Sequence, residues 1–246
     1  MTDSPGKMTP SDSTNPRNEL TTGEKRRRWF EVFLVLLVAF GGNILHSLYL
    51  LMSTPGVSQQ VSSSRWALGI VQEGAALLLL GYVLSRRGLK FANLGLRWSL
   101  RDAGVGLAVV AVSYLAYAFG YQLVQSIHHL MYGSWAMGPT AKDFFAHPSF
   151  IAIPFFLLNP FFEELIVRAY LMTEVMELTG SSALAVALSV AVQFSYHLYY
   201  GWVGAVSLSF LFLVFALYYA RWRRALPVIV AHAFMDVYGL LRLLSP

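Results

Sequence analysis

Six side chains in the second half of the chain have types and spacings suited to acid–base chemistry. They are Glu163, Glu164 and Arg168 in NPFFEELIVRAYL, His197 in VQFSYHLYYG, and His232 and Asp236 in AHAFMDVYG. Glu164 and Arg168 are four positions apart, so on an α-helix they share one face and can pair. A bidentate pair of this kind lowers the cost of burying both charges. Glu163 stands about 100° further round an α-helix. Without that partner it can serve as a general base for water. His232 and Asp236 are also four apart, and Asp236 can orient the imidazole or add polar groups of its own. His197 is alone on its segment, with Gln193 one turn before it.

Other readings use the same residues. The charged groups can simply knit helices together, and a single helical His is commonly a satisfied core residue. A divalent metal such as zinc can be held by His197, His232 and Glu163, since imidazole and carboxylate suit such ions. The tight His-Glu-x-x-His spacing of helical zinc proteases is missing. A proton-coupled transporter can use Glu73, Glu163 and His232 as a relay, but no internal repeat supports a transporter architecture.

The elements that must position these residues are membrane helices. Of the 246 residues 56% are apolar and 13% charged, about half the charge of an ordinary soluble domain. With no cysteine in the chain, disulfides, a thiolate nucleophile and Cys-ligated metal centres are excluded. Seven stretches are long and apolar enough to span a bilayer, at 29–52, 66–85, 103–126, 149–173, 181–199, 202–220 and 225–244. The expected fold is all-α, a polytopic transmembrane helical bundle of about seven spans. Residues 1–28 form a disordered basic cytoplasmic tail, 29–126 the N-terminal helices, and 149–244 the core that carries the six side chains. Phe91 to Asp102 (FANLGLRWSLRD) mixes basic and apolar residues and suits a flat position in the interface.

Basic residues set the orientation. With the N-terminus cytoplasmic, fourteen Lys/Arg lie inside and three, Arg65, Lys142 and Arg242, outside. All six Trp fall at span ends or in a loop, as an interfacial belt requires. The positive charges sit in clusters between apolar runs, which indicates a lipid bilayer and no nucleic acid as partner. Glu73, Glu163, Glu164, Arg168, His197, His232 and Asp236 then lie within spans, His46 being a weaker case. Ionisable groups there cost roughly 2.5–3.5 kcal/mol each for charged types, so they are functional candidates.

The order Glu-Glu-x-x-x-Arg, then His after an aromatic, then His-x-x-x-Asp resembles the CAAX protease and bacteriocin-processing (CPBP, or Abi) family of intramembrane endopeptidases. The resemblance covers roughly residues 149–240. The second motif departs, with Gln193 where the family usually has Phe and Phe194 one position later. The resemblance implies a membrane enzyme that hydrolyses a peptide bond in a membrane-associated protein or peptide, as in CAAX processing or bacteriocin maturation and immunity. It implies that Glu163 and His197 activate water, that Glu164 and Arg168 support the site, and that His232 and Asp236 stabilise the oxyanion. Metal-dependent and metal-free, glutamate-driven mechanisms are both proposed for such proteins. A non-catalytic membrane protein, whether transporter or immunity partner, is the alternative.

One geometric condition follows. At about 1.5 Å per residue, straight spans would set His197 and His232 more than about 10 Å apart in depth. A shared site requires the Tyr199–Trp202 turn to dip into the bilayer, or a span boundary to move.

Overall fold

The computed structural model describes residues 20–52, 62–136 and 150–244. The expected tail over 1–19, Lys142 and the span start at 149 lie outside the described residues. Helices α1 (Thr22–Met52) and α2 (Ser63–Ser85) are followed by a 3-10 turn at Phe91–Leu94 and by α3 (Leu100–Tyr132). The fourth rod is continuous but changes character: α4 (Ala152–Glu163) passes into a π-helical segment, Glu164–Leu171, and then into α5 (Met172–Thr179). Next come α6 (Ser182–Tyr196), a 3-10 turn at Leu198–Tyr200, α7 (Gly201–Trp222) and α8 (Leu226–Leu244). The seven rods fall on the seven expected spans, and the fold is an all-α bundle. Four helices, α1, α2, α3 and the stretch Leu198–Trp222, are long and apolar enough to cross a membrane.

Two boundaries differ from the sequence reading. Helix α1 begins at Thr22, within the stretch expected as tail, because Thr21 and Glu24 cap it reciprocally. The Glu24 carboxylate accepts the Thr21 N–H at 2.8 Å, and Thr21 Oγ1 accepts the Glu24 N–H at 3.2 Å. The fourth rod extends to Thr179, so Glu174 and Glu177 belong to it rather than to a loop. It stops where Gly180 takes φ +72°, a left-handed conformation that glycine adopts without a Cβ penalty. Ser181 then caps α6, its Oγ accepting the Leu184 N–H at 3.1 Å.

The two corrected boundaries meet. Arg28 reaches Glu174 at 2.7 Å and also pairs with Glu177, while Arg87 reaches the other Glu174 oxygen at 2.7 Å and pairs with Glu31. Glu174 is buried, so the first two helices are fastened to the fourth rod through one shared carboxylate.

Large apolar side chains on the first three helices point outward, among them Phe33 (60% exposed), Leu45 (71%), Leu78 (77%) and Leu115 (71%). Faces of this kind are expected against lipid rather than water. The core lies around the fourth rod. Val35 and Phe40 of α1, Ala76 and Leu80 of α2, Ala185 of α6, Ala216 of α7 and Ile229 of α8 all pack with its residues Leu165–Met176. Every side chain from Glu164 to Leu171 is buried.

The segment Phe91–Asp102 is not one amphipathic helix. Gly95 closes its 3-10 turn at φ +84°, residues 96–99 are irregular, and α3 begins at Leu100. Gly95 is also pressed against the turn between α7 and α8. A Cβ there would lie 2.1 Å from the Arg223 carbonyl oxygen, and the Gly95 carbonyl accepts the Ala225 N–H at 3.1 Å.

Candidate active site

The site grows from the switch between α4 and the π-helical segment. A π-helical turn closes i→i+5 bonds and so takes more residues per turn than an α-helix. Consecutive side chains are therefore closer in angle than in an α-helix. Glu163 (6% exposed) and Glu164 (0%) both turn inward toward α8, whereas α-helical spacing predicts that Glu163 stands apart from its neighbour's partners. Such insertions occur frequently at functional sites.

His232 of α8 reaches both carboxylates. Its Nδ1 donates to Glu164 Oε1 at 2.9 Å, and its Nε2 lies 4.0 Å from Glu163 Oε2 and 3.6 Å from Asp236 Oδ1. Of the two roles the sequence offers for Asp236, its position beside Nε2 leaves the ring's other nitrogen to Glu164. Glu164 fixes the ring, and Asp236 faces the opposite nitrogen while accepting the Asn159 amide at 3.2 Å. The Glu163 and Asp236 carboxylates therefore both face the second imidazole nitrogen at distances beyond direct hydrogen bonding.

Arg168 also differs from expectation. It meets Glu164 through Nε at 3.5 Å rather than through a bidentate fork. Its guanidinium is completely buried and lies over Phe212 (5.3 Å) and Phe215 (5.9 Å). The pair is an ion contact backed by two aromatic faces, a cation–π arrangement.

Glu163 is held from α6. Its Oε2 accepts the Tyr196 hydroxyl at 2.6 Å and the Gln193 amide at 3.2 Å. Tyr196 is braced by α1, stacking on Phe40 with ring centres 4.6 Å apart, while its carbonyl accepts Ser47 Oγ at 2.6 Å. Gln193, the residue that departs from the family pattern, is therefore a direct partner of the candidate base. Tyr196, Gln193 and Asn159 were not among the residues singled out for the site. They lie in the quoted motifs, but spacing alone does not show which side chains face inward.

His197 is placed differently. Its Nδ1–H donates to the Gln193 carbonyl at 2.8 Å, leaving Nε2 as the acceptor. Its ring packs on Phe212 at 4.9 Å, and Phe212 also faces the His232 ring at 6.3 Å. No hydrogen bond or ion pair joins His197 to Glu163, Glu164, His232 or Asp236 among the described residues. Helix α6 ends at Tyr196, and the turn Leu198–Tyr200 is packed within the bundle against α1 and α7, with Leu198 buried.

Glu163, Glu164 and His232 each offer a ligand atom, all within 4.8 Å of one another. Two carboxylates and one imidazole suit a divalent cation. This group shares Glu163 and His232 with the expected set and has Glu164 where that set has His197. Glu73 of α2, which the sequence offers as a member of a proton relay with Glu163 and His232, faces the same region. It is buried, its Oε2 makes no hydrogen bond, and it lies within electrostatic range of Glu163, Asp236 and His232. His46 is elsewhere, with its Nε2 2.6 Å from Arg65 Nη2.

Residues 145–238 match a family model described as type II CAAX prenyl endopeptidase Rce1-like. This stretch contains all six side chains from the three motifs and bears out the resemblance to the CPBP family. No curated protein and no solved structure matches the chain.

Proposed function

We propose, from the Rce1-like match over residues 145–238, that this integral membrane protein is an intramembrane endopeptidase acting on a membrane-associated protein or peptide. The observation that carries the reading is the opposition of Glu163 and His232, which are buried and 4.0 Å apart. That separation is too long for a direct hydrogen bond but allows one water molecule to bridge them.

In the proposed reaction Glu163 removes a proton from the attacking water. The water oxygen bonds to the scissile carbonyl carbon, and the carbonyl oxygen takes up the negative charge. Glu163 then passes its proton to the amine as the C–N bond breaks. Tyr196 and Gln193 fix the Glu163 carboxylate. Glu164 orients His232, whose Nε2, when protonated, donates to the oxyanion. Asn159 has a second amide N–H beyond the one given to Asp236 and supplies another donor. His197, backed by the Gln193 carbonyl, presents Nε2 toward the water as an accessory acceptor. A divalent cation such as zinc, held by Glu163, Glu164 and His232, would polarise the carbonyl and acidify water.

The proposed topology has a cytoplasmic N-terminus and an external C-terminus. It rests on the fourteen-to-three distribution of Lys/Arg. A reporter fused after Pro246 should read external, and a cytoplasmic signal would overturn seven crossings.

The deciding experiment is cleavage of membrane-anchored peptides, prenylated and unprenylated, by purified protein with and without chelator. Cleavage lost in Glu163→Gln supports the reading; no cleavage of any such peptide by folded wild-type protein sinks it. Loss with chelator and recovery with zinc would assign the cation a role. A second reading, a proton relay through Glu73, Glu163 and His232, is supported by the burial of Glu73 beside the site.

A further inference from the structure

Away from the candidate active site, the two connections α2–α3 and α7–α8 enclose a pocket of about 270 Å³ lined by Asn93, Gly95, Arg97, Trp222, Arg223 and Arg224. Three arginines and no acidic residue line it. Arg224 is partly neutralised by Asp102 at 2.8 Å. Arg223 donates to the neutral Thr173 hydroxyl at 3.3 Å and makes no ion pair among the described residues. Arg97 has no ion pair among the described residues. Two of the lining arginines therefore have no compensating carboxylate among the described residues.

The backbone gives a second observation. Arg223 has φ +52° and is the one non-glycine residue with positive φ among those described. Glycine would occupy this position after the helix more cheaply. The backbone strain is held by two contacts, the Arg223 N–H to the Tyr219 carbonyl at 2.9 Å and the Ala225 N–H to Gly95 at 3.1 Å. Strain of this type persists at sites where the surrounding structure enforces it, and it commonly marks binding positions. Here it places Arg223 beside Arg224 at the pocket wall.

The rim carries the chemistry of a lipid interface. Trp222 is 55% exposed and has Arg221 over its ring at 5.8 Å. Next to Arg97 in sequence, Trp98 is 77% exposed, and Leu100 is 93% exposed. Trp with Arg at a helix end marks the headgroup level of a bilayer, and basic pockets between membrane helices receive anionic lipid headgroups. We infer that this pocket binds the phosphate of an anionic phospholipid, with Arg97 and Arg223 as its principal ligands and Trp222 at its edge. A phosphodiester accepts the planar donor fork of arginine in a way that a zwitterionic headgroup, carrying its own ammonium, does not favour equally.

The test measures thermal shifts of the purified full chain in detergent, titrated with phosphatidylglycerol, with phosphatidylcholine, and with inorganic phosphate. Wild type should prefer phosphatidylglycerol over phosphatidylcholine. The doubly substituted Arg97→Gln, Arg223→Gly protein should lose that preference about 25-fold, at about fivefold for each basic group near an anionic lipid surface. Glycine at 223 keeps the left-handed backbone, so this variant should fold at least as stably as wild type in the absence of lipid. Arg101→Gln, which removes a neighbouring charge outside the pocket, should retain the preference. Equal preference in wild type and the double variant would overturn the site. So would an equal loss in Arg101→Gln, which would indicate general surface attraction. A shift from inorganic phosphate as large as that from phosphatidylglycerol would overturn the lipid assignment in favour of a soluble anion. None of these readouts involves peptide cleavage, so the pocket stands or falls independently of the proposed enzyme activity.

Discussion

Glu164 accepts the Nδ1–H of His232 at 2.9 Å, joining the π-helical segment of the fourth rod to α8 across 68 positions of sequence. This one contact fixes which imidazole nitrogen faces Glu163 and Asp236. Glu164 thereby serves two partners, because its other oxygen is the one nearest Arg168. The supporting carboxylate determines the geometry of the candidate site as much as the candidate base does.

Glu163→Gln should leave the bundle folded, since Gln preserves shape and removes a buried charge. Removal of a general base should lower the cleavage rate by roughly 10²–10⁴-fold. The paired variant with His197→Ala should be little worse than Glu163→Gln alone if both act on one water, because residues acting as a unit are non-additive. Single-turnover cleavage on matched folded samples measures both, and full activity in Glu163→Gln removes the mechanism.

Arg168→Ala strands the buried Glu164 carboxylate. The expected cost is about 3–5 kcal/mol of stability. Thermal unfolding in detergent checks this. A variant that unfolds with wild type shows that the Glu164–Arg168 contact contributes nothing.

Tyr196→Phe removes the 2.6 Å hydrogen bond to Glu163 and little else, because the ring keeps its stacking on Phe40. A hydrogen bond to a charged group contributes about 1.5–3 kcal/mol. If it is fully expressed in the transition state, kcat/KM should fall by about ten- to a hundredfold, an order-of-magnitude figure. Loss of stability without loss of activity would make Tyr196 a structural residue only.

Glu73→Gln separates the enzyme from the proton relay. The Glu73 Oε2 is buried without a hydrogen-bond partner, so the substitution should raise thermal stability. As an enzyme the protein should lose less than about tenfold in activity, well short of the loss for a general base. A loss equal to that of Glu163→Gln would favour proton transfer through the bundle.

Much of the architecture was legible because membrane helices announce themselves by length and apolarity. The seven rods and the grouping of Glu163, Glu164, Arg168, His232 and Asp236 follow from spacing and from the cost of charges in lipid. What spacing could not show was the π-helical segment. An assumption of 3.6 residues per turn separates Glu163 from the partners of Glu164, whereas the wider turn brings both to His232. The same assumption hid Tyr196, an aromatic that spacing cannot distinguish from ordinary packing until Phe40 and Ser47 of α1 are seen to hold it. The early start of α1 was obscured by polar composition, although Thr21 and Glu24 together carry the sequence signature of a cap.

The shared carboxylate of Glu174 has a consequence for how the protein is made. Arg87 lies 87 positions before Glu174 and Arg28 146 positions before it. When α1 and α2 enter the membrane during synthesis, the acid that will neutralise their arginines has not yet been translated. Until the fourth rod arrives, Arg28 and Arg87 must remain solvated at the membrane surface or lean on Glu31 alone. The N-terminal helices are thus delivered unneutralised, and docking of Glu174 fastens them only once the fourth rod has been made.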